Sequence, residues 1–259
     1  MKAQKYIIII ILLISARSGF TQHTNFAFEG TIDFEKSTNM HAQIPRMINK
    51  DNEMFYRAAY DQYKTTQPQF RILKSTLAFS KDKTLFTPIE PDAGPRVMFN
   101  EQVAIAPQNN IIYTDLAASK IIAQKTIYEE KFLVTDSIRK ITWKITSETR
   151  DIAGYTCRRA NAIMMDSIYV VAFYTDEIPV SGGPESFAGL PGMILGVALP
   201  HENVTWFAKL VTPKALPAGT IAAPKKGKPT DNNGLIATLK SVMKNWGDYA
   251  QGRLKAYLL

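Results

Sequence analysis

Catalysis or metal binding in this chain would have to be built from three histidines, one cysteine and scattered carboxylates. The histidines are His23, His41 and His201, and no HExxH, close histidine pair or CxxC accompanies them. A dedicated zinc site therefore lacks its ligand spacing. Met164 and Met165 stand together before Asp166. A soft-metal site for copper needs several converging sulfurs, with His201 as a possible further ligand. Neighbouring residues on a strand point to opposite faces, so core packing by one of the two sulfurs is the simpler reading. Cys157 and His201 are the pair from which a thiol nucleophile and its base would be made. In the run Gly-Tyr-Thr-Cys-Arg-Arg, however, a lone cysteine reads as a small buried hydrophobe. No Gly-x-Ser-x-Gly elbow occurs, and the loop Ser181-Gly182-Gly183-Pro184-Glu185-Ser186 lacks the Lys-Ser/Thr ending of a phosphate cradle. Glycoside hydrolysis asks for two facing carboxylates, for which Glu177, Glu185 and Glu202 are the candidates. This inventory assigns no catalytic residue, metal site or cofactor.

The segments that carry these groups begin with an export signal. Lys2 and Lys5 precede the apolar run Tyr6 to Ile14, and Ala16 and Ser18 are small residues placed for cleavage. Residues 1–20 are expected to be a signal peptide, and residues 21–259 a single domain. The run is shorter than the roughly 20 apolar residues of a spanning helix. The only cysteine is far from the cleavage region, which excludes a lipoprotein anchor and an internal disulfide. Loss of Lys2, Lys5 and Arg17 would lower the formal net charge from +8 to +5. The basic stretch Lys225-Lys226-Gly227-Lys228 reads as a solvated loop, and no nucleic-acid motif is present.

The mature chain alternates like a β protein. Phe26 to Glu35 has period two. Met54, Phe55, Ala58, Ala59 and Tyr63 suggest a short helix, and Phe70–Phe79 with Thr84–Pro88 a hairpin. Short strands are expected at 111–114, 120–129 and 131–134. Ile141, Trp143 and Ile145 mark a one-sided strand, and further strands are expected at 152–164, 167–174 and 203–211. Residues 213–229 form a Pro/Gly-rich linker to an amphipathic helix over 235–257, with Gly247 and Gly252 as the points where it could be interrupted. The expected fold is mostly β, an antiparallel, strongly curved or half-barrel sheet with that helix against it.

One run stands apart: Ala188-Gly189-Leu190-Pro191-Gly192-Met193-Ile194-Leu195-Gly196. Pro191 and Gly192 suit the two central positions of a type II turn, and the apolar flanks place that turn in the core. Leu190 and Ile194 should be buried and Gly192 should have a positive φ. The run also closes a series of blocks. Upstream lie Ile141-Thr142-Trp143-Lys144-Ile145, then Ile152-Ala153-Gly154-Tyr155-Thr156-Cys157-Arg158-Arg159-Ala160. These are followed by Val171-Ala172-Phe173-Tyr174-Thr175-Asp176-Glu177-Ile178-Pro179, and Gly183-Pro184 precedes the turn.

Together these blocks resemble the GLPGLI family of exported proteins from Bacteroidetes-type bacteria, with Met193 in place of the usual leucine. The resemblance covers Lys140 to Leu195. It implies an exported, mostly β protein of the periplasm or outer-membrane periphery, often encoded beside TonB-dependent receptors. It implies no catalytic residues. Trp143, Gly154, Tyr155, Cys157, Ala160, Tyr174, Pro179, Gly183 and Pro184 would be structural, as would the turn itself. The reading drawn from this is a non-enzymatic binding or accessory protein for TonB-dependent uptake or envelope assembly, with an apolar ligand in a sheet groove. A carboxylate-dependent hydrolase and a structural protein that pairs through a sheet edge are the alternatives.

Overall fold

The computed structural model describes residues 27–91, 97–107 and 109–259. The expected signal segment and most of the loop at 90–95 lie outside them. The chain is mostly β and forms one twelve-stranded sheet that does not close into a barrel. Strands β1 (Gly30–Asn39), β2 (Phe70–Phe79), β3 (Lys83–Pro88), β4 (Ile111–Asp115), β5 (Lys120–Ile127) and β6 (Glu130–Ser137) follow one another as an antiparallel meander. Strands β7 (Lys144–Ile152), β8 (Tyr155–Met164), β9 (Ile168–Thr175), β10 (Met193–Leu199) and β11 (Val204–Pro213) form a second one. The two meanders are stitched together by β1 against β11, with Ile32 opposite Val211 and Lys36 opposite Trp206. The sheet is mixed, because β12 (Lys228–Thr230) pairs in parallel with β6. The expectation of a wholly antiparallel sheet, and of a linker through residue 229, is corrected there.

Alternation explains most of the ladder. On β1, Gly30, Ile32, Phe34, Lys36 and Thr38 all face inward. Across β2 they meet Phe79, Leu77, Ser75, Leu73 and Arg71, the first four of these also buried. The strand runs four residues beyond the expected Glu35, and Phe28 is exposed before it begins.

Short helices cover the ends of the sheet. These are α1 (Met40–Gln43), α2 (Glu53–Thr66) and α3 (Met98–Gln102). The inward side of α2 is Tyr56, Ala59, Tyr60 and Tyr63, with Tyr56 and Tyr63 edge-on to Phe99. Of the expected stripe, Ala59 and Tyr63 face inward, whereas Met54, Phe55 and Ala58 are exposed. The expected 235–257 helix is two helices, α4 (Asn232–Val242) and α5 (Asp248–Leu258). A turn after Met243 and the left-handed φ of +54 at Gly247 end the first helix and redirect the chain. Asp231 caps α4 through Gly234, and Asp136 of β6 accepts the Asn232 amide at 3.1 Å. The backbone hydrogen bond from Asn232 holds the Asp136 carboxyl below its ordinary pKa.

Three further readings are revised. Trp143 precedes β7 and is outside the strand; its Nε1 donates to the Ala188 carbonyl at 3.0 Å, tying it to the signature run, and Ile145 is exposed. Ala153 and Gly154 turn the β7–β8 hairpin with φ of +51 and +86, the geometry of a type I′ turn. Pro191 is exposed and centres a γ-turn in which the Gly192 amide donates to the Leu190 carbonyl at 2.8 Å, so the type II reading fails. Leu190, Gly192 and Ile194 are buried, and Gly192 has a φ of +155.

Candidate functional site

Two lysines break the apolar inner face. Lys36 follows Ile32 and Phe34 in phase and is 3 % exposed. Its Nζ donates to the Pro107 carbonyl at 2.7 Å and stands 5.2 Å from the Trp206 ring centre. Lys125 lies between Ala123 and Ile127 on the inner face of β5 and is 6 % exposed. Its Nζ donates to the Tyr257 carbonyl at 2.8 Å. Burial pushes each ammonium pKa down to about 8; Glu185 opposes the shift in both. Arg71 adds to it at Lys36 and Arg139 at Lys125.

Glu185 is the carboxylate that faces them. It is 6 % exposed and sits at a φ of +50, a left-handed conformation uncommon for a side-chain-bearing residue. The preceding Gly183 and Pro184, both buried, bring it in, and Asn110 Nδ2 donates to its Oε2 at 3.0 Å. The far wall is the end of α5. Lys125 and Arg139 donate to the Tyr257 and Leu258 carbonyls, and Ser186 Oγ to that of Leu259 at 2.9 Å. Cations at a helix C-terminus meet the negative end of its dipole, which explains how the buried Lys125 and the half-buried Arg139 are tolerated there. Burial raises the Tyr257 hydroxyl pKa, and its ring lies edge-on to Tyr128 at 5.7 Å. Arg253 Nη1 reaches both hydroxyls.

Lys36, Glu185, Asn110, Trp206, Tyr257 and Ile105 are among the residues lining a partly open cavity of about 460 Å³, whose rim also carries Glu101 and Glu129, whereas Lys125, Arg139 and Ser186 line a separate pocket of about 30 Å³. Trp206 is 2 % exposed, and its Nε1 is buried without an acceptor. The cavity lies on the seam of the sheet. Lys36 comes from the first meander, Trp206 from the second, and Glu185 from the loop before β10.

The groups singled out from sequence do not converge. Glu202 pairs with Arg46 at 3.5 Å, Glu177 acts on Cys157, and only Glu185 lines the cavity. Cys157 is fully buried, and burial pushes its thiol up to about 12. Its Sγ contacts the Tyr155 carbonyl, while His201 packs against the Tyr169 ring. Met164 is buried and Met165 half-buried. No group of three or more His, Cys, Asp or Glu residues suited to a metal occurs among the described residues. Among them, also, no helix is long and apolar enough to cross a membrane. None of the signature residues lines the cavity. Gly189, Leu190, Pro191 and Gly192 lead into β10, Met193 and Ile194 are its first residues, and Ala160 and Tyr174 are buried on β8 and β9. Pro179 lies in the loop after β9. Sequence reasoning missed Lys36, Lys125 and Trp206, although a lysine in phase with apolar neighbours was a signal for the first two.

A family described as "Protein of unknown function (Porph_ging)" matches residues 163–196, from the end of β8 into β10. No curated protein matches the sequence. PNGF-II in its C2 crystal form aligns with a TM-score of 0.50 at 16 % identity, over 88 % of this chain and 33 % of its own. Its P21 form gives 0.49 at 18 %, over 85 % and 34 %. An uncharacterized conserved protein from Thermus thermophilus gives 0.39 at 5 %, over 81 % and 93 %. The chain spans about a third of the length of PNGF-II, and the likeness is one of β fold.

Proposed function

We propose that this chain is an exported, non-enzymatic binding protein of the GLPGLI type. It would work at the periplasmic or outer-membrane periphery as an accessory to TonB-dependent uptake or envelope assembly. The carrying observation is the seam cavity, whose roughly 460 Å³ falls within the range of small-molecule sites. In this reading the sheet is a half-barrel and the cavity is its hollow. Arg150 of edge strand β7 stacks 4.7 Å from the Phe207 ring centre on the outer face, opposite Trp206, so that contact records the β7–β8 hairpin folding back there and is independent of the hollow. The buried polar groups argue for a ligand with a polar head, not the purely apolar ligand expected from sequence. The hydrolase alternative has less support, because Glu177, Glu185 and Glu202 occupy separate surroundings. The test is native mass spectrometry on protein purified without denaturant from its own envelope, alongside affinity capture. A small-molecule adduct that disappears in Ala256→Phe, which fills the cavity wall, is the expected result. A bare mass together with no captured envelope component would defeat the reading.

A further inference from the structure

We propose that the seam cavity captures a small aldehyde as a reversible imine on Lys36 Nζ. The proposal rests on the cavity being a ligand site and names the chemistry that holds the ligand there.

Three observations carry it. First, the amino end of Lys36 is the part of that residue that meets the cavity. Its backbone is held in the sheet, paired with Leu73 on one side and Trp206 on the other. Its Nζ stands 2.7 Å from the Pro107 carbonyl and 5.2 Å from the Trp206 ring centre, and both of those residues line the cavity with it. Among the described residues no second lysine and no cysteine or histidine lines it. Second, Lys36 is a better nucleophile than a surface lysine. Burial holds its pKa near 8, with Glu185 opposing the shift and Arg71 of β2 adding to it. At pH 7 about one Lys36 in ten is then a free amine, against about one ordinary lysine in 2,500. Third, Glu185 lines the same cavity and acts on Lys36, so a proton carrier accompanies the amine.

The step balances without an oxidant or reductant. The ammonium sheds one proton through Glu185, and the freed lone pair attacks the carbonyl carbon. A C–N bond forms as the C=O π bond opens. The former carbonyl oxygen takes up that proton and one from nitrogen and leaves as water, while the C=N bond closes. Overall an ammonium and an aldehyde become an iminium and water, so the charge facing Glu185 is unchanged. The iminium also keeps one N–H for the Pro107 carbonyl that Lys36 already serves. A neutral electrophile suits a lining with one cation against Glu101, Glu129 and Glu185. Ile105, Ile127, Ala256 and Leu259 supply apolar wall for the rest of the ligand. Water can re-enter the partly open cavity and reverse the capture, so this is covalent binding and not turnover.

The test is treatment of the intact protein with butanal and cyanoborohydride at pH 7, followed by peptide mass spectrometry. Cyanoborohydride delivers hydride to the imine carbon and fixes the adduct as a secondary amine. Lys36 should be labelled about tenfold or more faster than any other lysine, since its roughly 200-fold excess of free amine is offset by lower basicity and a narrow entry. The chain's α-amino group, ordinarily of pKa about 8, is the freely reached reference. Lys125 is the internal control. Its pKa is lowered equally, but it faces a pocket of only about 30 Å³, which has room for no more than a water, and it should stay unlabelled. Ala256→Phe should slow Lys36 severalfold and leave the α-amino group unchanged; if that variant does not fold, the comparison with Lys125 carries the test. Labelling of Lys36 no faster than exposed lysines, equal labelling of Lys125, or a rate that folded Ala256→Phe leaves unchanged would overturn the proposal. Slow labelling of Lys36 in a protein whose native adduct still disappears in Ala256→Phe would overturn the imine alone and leave the binding reading standing.

Discussion

Gly192→Ala tests the signature turn most directly. A Cβ at this position would stand 2.1 Å from the Thr175 carbonyl oxygen and 2.7 Å from its carbon, where ordinary contact begins at 3.4 Å. Both obstacles are backbone of β9, so no side-chain rotation relieves them. The φ of +155 adds strain for any L side chain. The chain must open by more than an ångström just where Met193 pairs with Thr175 and where the Met193 amide donates to the Ile178 carbonyl at 2.9 Å. Overpacking of this kind costs about 1–3 kcal/mol, and a buried hydrogen bond lost with its groups stranded costs a similar amount. The expected loss is about 3–5 kcal/mol, or roughly 10 °C in melting temperature for a chain of this length. Gly252→Ala is the control, since its Cβ would meet nothing within 4 Å and it lies inside α5. There alanine should add about 0.5–1 kcal/mol. The measurement is thermal and urea unfolding of both variants beside the parent. A Gly192→Ala protein that melts within about 2 °C of the parent would refute the reasoning, since that shift corresponds to under 1 kcal/mol. The bulkier Gly192→Val should lose at least as much.

Three other outcomes are expected. Lys36 and Lys125 bind protons less tightly folded than unfolded, so their burial costs stability fully below pH 8, and the cost lifts as pH rises toward 10.5. Stability should increase between pH 8 and 10 by up to about 3 kcal/mol for each lysine. Lys36→Met should remove about half the increase, and a flat urea midpoint across that range would contradict the assignment. Cys157, buried with its thiol raised to about 12, should react with a disulfide reagent at pH 8 only through unfolding. Labelling at the rate of an unstructured thiol would show that the cysteine is accessible. Trp143→Phe loses the bond to the Ala188 carbonyl and should cost about 1 kcal/mol in urea unfolding, and no change would mean that the indole N–H finds equal partners in water.

How legible the fold was depended on how many faces each strand buries. The β2–β3 hairpin was plain because polar residues separate two alternating runs. Strand β10 was invisible as a strand because nearly every residue from Met193 to Leu199 is buried, which erases the alternation. Its inner side meets the core. Its outer side is covered by the folded-back tip of the β7–β8 hairpin, where Ile152 and the Phe207 ring close over Gly196. Strand β12 was hidden by Pro229, which a parallel edge strand tolerates where a central one would not. The cavity was half legible. Lys36 and Lys125 are exceptions within readable patterns. Nothing along the chain announces that Trp206 and Glu185 will face them, because that meeting depends on the pairing of β1 with β11.

That seam has a consequence for how the protein reaches its native state. Within either meander each strand pairs with its neighbour in sequence, across turns and loops far shorter than the span of the seam. The β1–β11 ladder alone must close a loop of about 170 residues, which by chain entropy costs roughly 2.5 kcal/mol more than closing one of about ten. Contacts of such separation dominate folding times in β proteins. Each meander can therefore assemble locally, while joining the two is the slow and entropically expensive step. Lys36 and Trp206 are cross-strand neighbours on that join. Their contact, with Lys36 Nζ 5.2 Å from the Trp206 ring centre, forms only when the two halves join and is lost when the sheet comes apart.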